Sequence, residues 1–188
     1  KICVNPPKRL ENRGMIYTNI RENRGDIIMK IVLASDRNGL DYKKRLIQHL
    51  EEKGYELMDV GTYENVPCDT PVFAEKAAKL VASGECKYGI LICATGTGMI
   101  ITANKIKGVF CGMGYTDLVT QYMRQHNDAN MIAFGQKHMG YEDVEHRVDI
   151  FLTTEFMGLH HAPRVQQIRD IEAGKEIHQT PIMNPNWK

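Results

Sequence analysis

Tyr88-Gly89-Ile90-Leu91-Ile92-Cys93-Ala94-Thr95-Gly96-Thr97-Gly98-Met99 is the stretch that decides how the chain is read. A short apolar run ends in a cysteine, a Gly/Thr-rich turn follows, and residues 100–105 carry a helical pattern. Strand, tight turn and helix form the geometry that aims backbone N–H groups at an anion. The same geometry sets a thiol before a helix N-terminus, which favours the thiolate. The stretch therefore reads as an active-site loop. Gly96 and Gly98 lack the third glycine of a dinucleotide fingerprint, because Ile101 stands in its place. No Gly-Lys-Ser/Thr ends the turn as in a P-loop. A cysteine-phosphatase loop closes on an arginine where this chain has Met99. The plain alternative is an inert cysteine buried at a strand end.

Outward from this loop, strands and helices alternate. Residues 31–34, 55–60, 88–93, 109–112 and 130–134 read as strands. Residues 40–53, 71–83, 100–107, 116–125, 141–152 and 164–173 read as helices. Single helices between strands imply an α/β fold with a parallel sheet covered on both faces. Ligands in such sheets bind at the carboxyl ends of the strands. That directs attention to residues 36–39, 61–69, 93–98 and 112–115. Residues 1–28 have no sustained periodicity and read as a vector-derived or leader-derived extension before a natural start at Met29. The domain is expected over residues 29–174, with a tail at 175–188 in which Trp187 is a candidate anchor on a partner subunit.

The 188 residues carry 24 Lys+Arg against 23 Asp+Glu, a formal net charge of +1, which gives no electrostatic footprint for nucleic acid. The five cysteines are scattered, without C-x-x-C spacing, as in a reduced cytoplasmic protein and not a disulfide framework or zinc site. No apolar run reaches membrane-spanning length, so no membrane partner is expected.

Ser35-Asp36 followed by Gly39, the Cys93 loop, Ala103-Asn104-Lys105 and Gln125-His126-Asn127-Asp128-Ala129-Asn130 together resemble the ribose-5-phosphate isomerase B / galactose-6-phosphate isomerase family. The likeness runs from Met29 to about Glu172. It implies a Rossmann-like three-layer α/β/α sandwich with a five-stranded parallel sheet, and a C-terminal helix packed on a partner subunit. It implies a cofactor-free aldose–ketose isomerase acting on a phosphorylated sugar, as a homodimer or homotetramer with shared active sites. The resemblance makes Cys93 the base, with Thr95 orienting thiol or substrate and His126 opening the cyclic sugar. The N–H groups of Gly96, Thr97, Gly98 and Met99 are expected to hold the developing oxyanion. Asp36 and Asn127 are expected to bind substrate, although Asp36 could equally cap the next helix. His126, without the motif around it, would read as a surface histidine at a helix C-terminus.

The chain also departs from the family pattern. Some members use a glutamate at the position of Met99, which cannot take a proton, so the burden falls on Cys93. The histidine usual after the first Asp is Arg37. The usual Gly-Gly-Arg-His, two residues, Arg-Val is here Gly158-Leu159-His160-His161-Ala162-Pro163-Arg164-Val165. Arg37 is thus expected to supply the phosphate-binding guanidinium that position 160 lacks, beside His160, His161 and Arg164. The His160-His161 pair could also be read as metal ligands. Neighbouring histidines on a helix do not face one way, so no metal site is assigned. The usual Asp-Tyr-Pro is Asp69-Thr70-Pro71. These changes point to a substrate of altered chain length or stereochemistry. The competing readings are a non-catalytic sugar-phosphate-binding protein and, more weakly, a phosphotransfer protein with Cys93 as nucleophile.

Overall fold

The computed structural model describes residues 29–179. The extension 1–28 and the tail positions Pro181, Pro185 and Trp187 lie outside the described residues. Among the described residues there are five strands: β1 (Lys30–Ser35), β2 (Glu56–Asp59), β3 (Tyr88–Cys93), β4 (Cys111–Met113) and β5 (Met131–Gly135). The helices are α1 (Leu40–Glu52), α2 (Thr70–Ala82), α3 (Thr97–Ala103), α4 (Asp117–Gln125), α5 (Tyr141–Thr153) and α6 (Ala162–Glu172). Single 3-10 turns, Arg37–Gly39 and Leu159–His161, lead into α1 and α6.

The strands form one parallel sheet in the order β2-β1-β3-β5-β4. Every residue of β3 and β5 is buried, which is why both read as unbroken apolar runs. Ile31, Leu33, Ile90, Ile92 and Phe134 meet Leu46, Leu50, Val144, Val148 and Phe151 on the face covered by α1 and α5. Val32, Ala34, Leu91 and Ala133 meet Phe73, Ala74, Ala77, Met99 and Ala103 on the α2–α3 face. The three layers expected from the sequence are therefore present. The sheet grows outward in opposite directions from β1 and from β3. Ligand crevices in open α/β sheets lie at the carboxyl ends of the strands at such a switch point.

Two features fix the loops there. Gly39 lies so close to β3 that a Cβ would strike the Ile92 carbonyl, which presses the turn after β1 onto the end of β3. Lys43, 1% exposed, reaches from α1 to both carboxylate oxygens of Asp59 at 2.7 Å and to the Thr62 carbonyl at 2.7 Å. Burial pushes the Lys43 ammonium down from its ordinary range, and Asp59 opposes that shift.

The structure corrects several boundaries. The helix after the Cys93 loop ends at Ala103, not near residue 107. Asn104 stops it, because its side chain both accepts from the Cys111 N–H and donates to the Cys111 carbonyl. That clamp also moves the fourth strand to Cys111–Met113. Asn130 is likewise outside its strand, with its side chain accepting from the Phe110 N–H and donating to the Gly108 carbonyl.

Candidate active site

The carboxyl edge of β1 and β3 gathers the first group of expected residues. Cys93, 5% exposed, ends β3, and its Sγ accepts a hydrogen bond from the Gly96 N–H at 3.1 Å. Gly96 makes this possible with φ +80°, a conformation that a residue with a side chain rarely adopts. Thr95, Thr97 and Gly98 are exposed beyond it. The first N–H groups of α3 have no carbonyl one turn back to bond within the helix. Met99 presents only its backbone here, because its side chain is fully buried in the core. Asp36 follows β1 and is buried, and its Oδ1 accepts from the Asn38 N–H at 2.8 Å. Its capping role is therefore real. Its Oδ2 accepts from the Thr70 hydroxyl at 2.8 Å, which ties the end of β1 to the start of α2. Arg37 is exposed on the same turn.

A segment the sequence reading passed over also belongs to this edge. Gln136 N–H donates to the Cys93 carbonyl at 2.9 Å and Lys137 N–H to the Ala94 carbonyl at 3.1 Å. His138 Nε2 lies 3.2 Å from the Thr95 carbonyl. The signal was available, since this segment directly follows β5 at a strand's carboxyl end.

The second group of expected residues assembles elsewhere. His126 caps the C-terminal end of α4, and its ring stacks on Tyr122 at 4.3 Å and on His161 at 4.0 Å between centroids. His160 and His161 rings lie 3.9 Å apart. The expectation that neighbouring histidines diverge is corrected here, because both sit on a tight 3-10 turn and not within a helix. Burial, then His126, His160 and Arg164, push the His161 imidazole down from its ordinary value. The cluster is thus rich in groups that can be cationic, which suits an anion. Among the described residues no three His, Cys, Asp or Glu side chains are placed to hold a metal ion. Asn127 is exposed beside His126.

The two groups lie at opposite edges of the sheet. Arg124, two residues before His126, donates to the Tyr88 hydroxyl at 2.9 Å and to the Ala129 carbonyl at 2.6 Å. Tyr88 begins β3 and Cys93 ends it, a span of about 16 Å at the usual strand rise. A helix that links parallel strands runs back against them, so its C-terminal end comes to the amino edge. Within one chain, His126 therefore sits a strand's length from Cys93.

The comparisons with known proteins agree with this architecture. A family model described as Ribose/Galactose Isomerase matches residues 31–168. Ribose-5-phosphate isomerase B of Escherichia coli is 40% identical over 146 residues, 76% of this chain and 96% of that protein. A galactose-6-phosphate isomerase subunit of Clostridium acetobutylicum is 34% identical over 128 residues, 68% of this chain and 74% of that one. The solved structure of a Clostridium thermocellum ribose-5-phosphate isomerase B superposes with a TM-score of 0.76 at 40% identity, covering 78% of this chain and 99% of that one. With its five-stranded parallel sheet, its thiol at the switch point and its match over most of its length, the chain belongs to the ribose/galactose isomerase family.

Proposed function

We propose that this chain is a cofactor-independent aldose–ketose isomerase of the ribose-5-phosphate isomerase B type, acting on a phosphorylated sugar through a cis-enediolate. The observation that carries the reading is the Cys93 sulfur at the β1–β3 switch point, with the Gly96 N–H aimed at it. As a thiolate, Cys93 takes a proton from the carbon beside the substrate carbonyl. The C–H electron pair moves into the C–C bond, and the carbonyl pair moves onto oxygen. The exposed turn at Thr97 and Gly98 offers that oxygen N–H donors that need no reorganisation. A proton passes from the adjacent hydroxyl to the former carbonyl oxygen, the Cys93 thiol returns its proton to the former carbonyl carbon, and the new C=O forms one position along. Thr95 stands at the mouth to orient the substrate, and Asp36 offers carboxylate lone pairs to its hydroxyls.

Opening a cyclic sugar needs an acid/base at the ring oxygen, and an imidazole is suited to it. His126 is assigned that role. It lies across the sheet from Cys93 in its own chain, so the working site takes His126 from a second copy. Asn127, His160, His161 and Arg164 come with it, and Arg37 meets them as the guanidinium for the phosphate. Exposed apolar side chains on the second group's elements favour such a partner: Leu118, Val119 and Tyr122 on α4, Leu159 at 75% exposure, and Ile168 and Ile171 on α6. Exposed Ile168 and Ile171 on α6 fit a C-terminal helix that packs on the other subunit. Arg37, His160 and Thr70 set which sugar phosphate fits, in place of the family's usual residues.

The test is incubation with a panel of phosphorylated aldoses and ketoses in deuterated water. Isomerisation with deuterium incorporated at C1 or C2, lost in Cys93→Ala, supports the reading. Binding without exchange would establish the alternative, a non-catalytic sugar-phosphate-binding protein. If ribose 5-phosphate is clearly the best substrate, the altered specificity assigned to Arg37, His160 and Thr70 is wrong.

A further inference from the structure

The segment after β5 holds the Cys93 loop at three successive carbonyls. The bonds to Cys93 and Ala94 come from the backbone of Gln136 and Lys137, whereas the bond to Thr95 comes from the His138 side chain. The segment is itself anchored. Gln136 Oε1 accepts from the Tyr42 N–H at 3.1 Å, and the Tyr42 hydroxyl donates to the Met139 carbonyl at 2.8 Å. Gly135, the ladder partner of Cys93, lies beneath the His138 ring, and a Cβ at that position would collide with the imidazole. The ring is thus laid across the end of β5 and pointed at the loop.

The Thr95 carbonyl and the Gly96 N–H belong to one peptide group. Its carbonyl faces His138 Nε2 at 3.2 Å and its N–H faces Cys93 Sγ at 3.1 Å. We propose that His138 is a positioning residue for Cys93, acting through the Thr95–Gly96 peptide. The proposal rests on the reading of Cys93 as the base. A peptide group is planar and stiff, so fixing its carbonyl fixes the direction of its N–H. A carbonyl that accepts a hydrogen bond also polarises the amide and strengthens its N–H as a donor. His138 does this whenever Nε2 carries the proton, in the neutral Nε2–H tautomer and in the imidazolium alike. The backbone bonds from Gln136 and Lys137 hold the loop's position, and His138 adds the orientation of the one peptide that touches the sulfur.

The test compares His138→Ala with His138→Gln, whose side-chain amide can donate to the same carbonyl. Cys93 alkylation by iodoacetamide is followed by peptide mass mapping from neutral to alkaline pH, in the absence of substrate. In His138→Ala the profile is expected to move to higher pH, with the rate at neutral pH reduced about three- to tenfold, the worth of one hydrogen bond. The turnover rate falls in parallel with KM unchanged, and His138→Gln restores both. An alkylation profile unaltered in His138→Ala overturns the assignment, and so does a shift that His138→Gln fails to correct. Because alkylation is read without substrate, this outcome is independent of the isomerase reading. A wild-type protein that moves no hydrogen on any sugar phosphate overturns that reading alone.

Discussion

The ladder that pairs Ser35 with Ile92 brings Asp36 alongside Cys93 where β1 and β3 end. Both side chains face the α2–α3 layer, Cys93 within its apolar cluster and Asp36 through the Thr70 hydroxyl. A carboxylate and a thiol thus flank the switch point of the sheet. Thr70→Val keeps the volume and removes the donor to Asp36. It is expected to cost about 0.5–1.5 kcal/mol of stability, read as a lower urea midpoint. KM for the sugar phosphate is expected to change as well, since Asp36 Oδ2 is no longer held. An unchanged midpoint and KM would mean that the Asp36–Thr70 bond is incidental.

Lys43 and Asp59 form the buried tie between α1 and the end of β2. Lys43→Met leaves Asp59 without its counter-charge. Loss of one partner of a fully buried pair costs about 3–5 kcal/mol, and Asp59 reaches some solvent, so a loss near the lower end is expected from urea unfolding. A loss no larger than that of a surface substitution would contradict the burial of this pair.

Burial pushes the Cys111 thiol from 9.0 up to about 12, and burial raises Cys86 and Tyr141 as well. The unfolded chain therefore releases protons above pH 9.0 that the folded chain keeps. Stability from this source is complete below that pH and is lost as pH rises towards about 12, by about 1.4 kcal/mol per pH unit for one fully buried thiol. Urea midpoints across this window should fall less steeply in Cys111→Ala than in the wild type. Equal slopes would contradict the assignment.

His161 is held below the usual histidine value by burial and by His126, His160 and Arg164. In the free protein this opposes folding in acid, where the unfolded imidazole takes a proton that the folded one refuses. A phosphate placed in the cluster draws a proton onto the His161 ring. Titration calorimetry with ribose 5-phosphate in buffers of different ionisation enthalpy should show net proton uptake near neutral pH, reduced in His161→Gln. Binding without uptake would place the phosphate elsewhere.

The layered fold was legible because β3 and β5, buried at every position, leave an unmistakable apolar signature, and the helices between them leave a different one. The turn after Cys93 was legible as a strand-to-helix turn because Gly96 and Gly98 directly follow the apolar run of β3. Lys43 was not legible, since a lysine in a helix pattern reads as solvated and only the tertiary position of Asp59 buries it. The position of residues 136–138 after β5 marked that segment, but the contact of His138 with the Thr95 carbonyl is tertiary and no local spacing encodes it. The pairing of His160 with His161 was misread because the chain enters α6 through a 3-10 turn, where neighbouring side chains are not spread as they are in an α-helix. The distance from His126 to Cys93 emerged only once the direction of α4 against the sheet was known.

The proposed site takes its thiol from one copy and its imidazole from another. Cys93→Ala and His126→Ala, each inactive on a ring-forming sugar phosphate, should recover activity when co-expressed or refolded together. Random pairing into dimers gives about a quarter of the wild-type rate, because half the dimers are mixed and each mixed dimer holds one intact site of two. Mixed dimers that isomerise no faster than either parent would contradict the account.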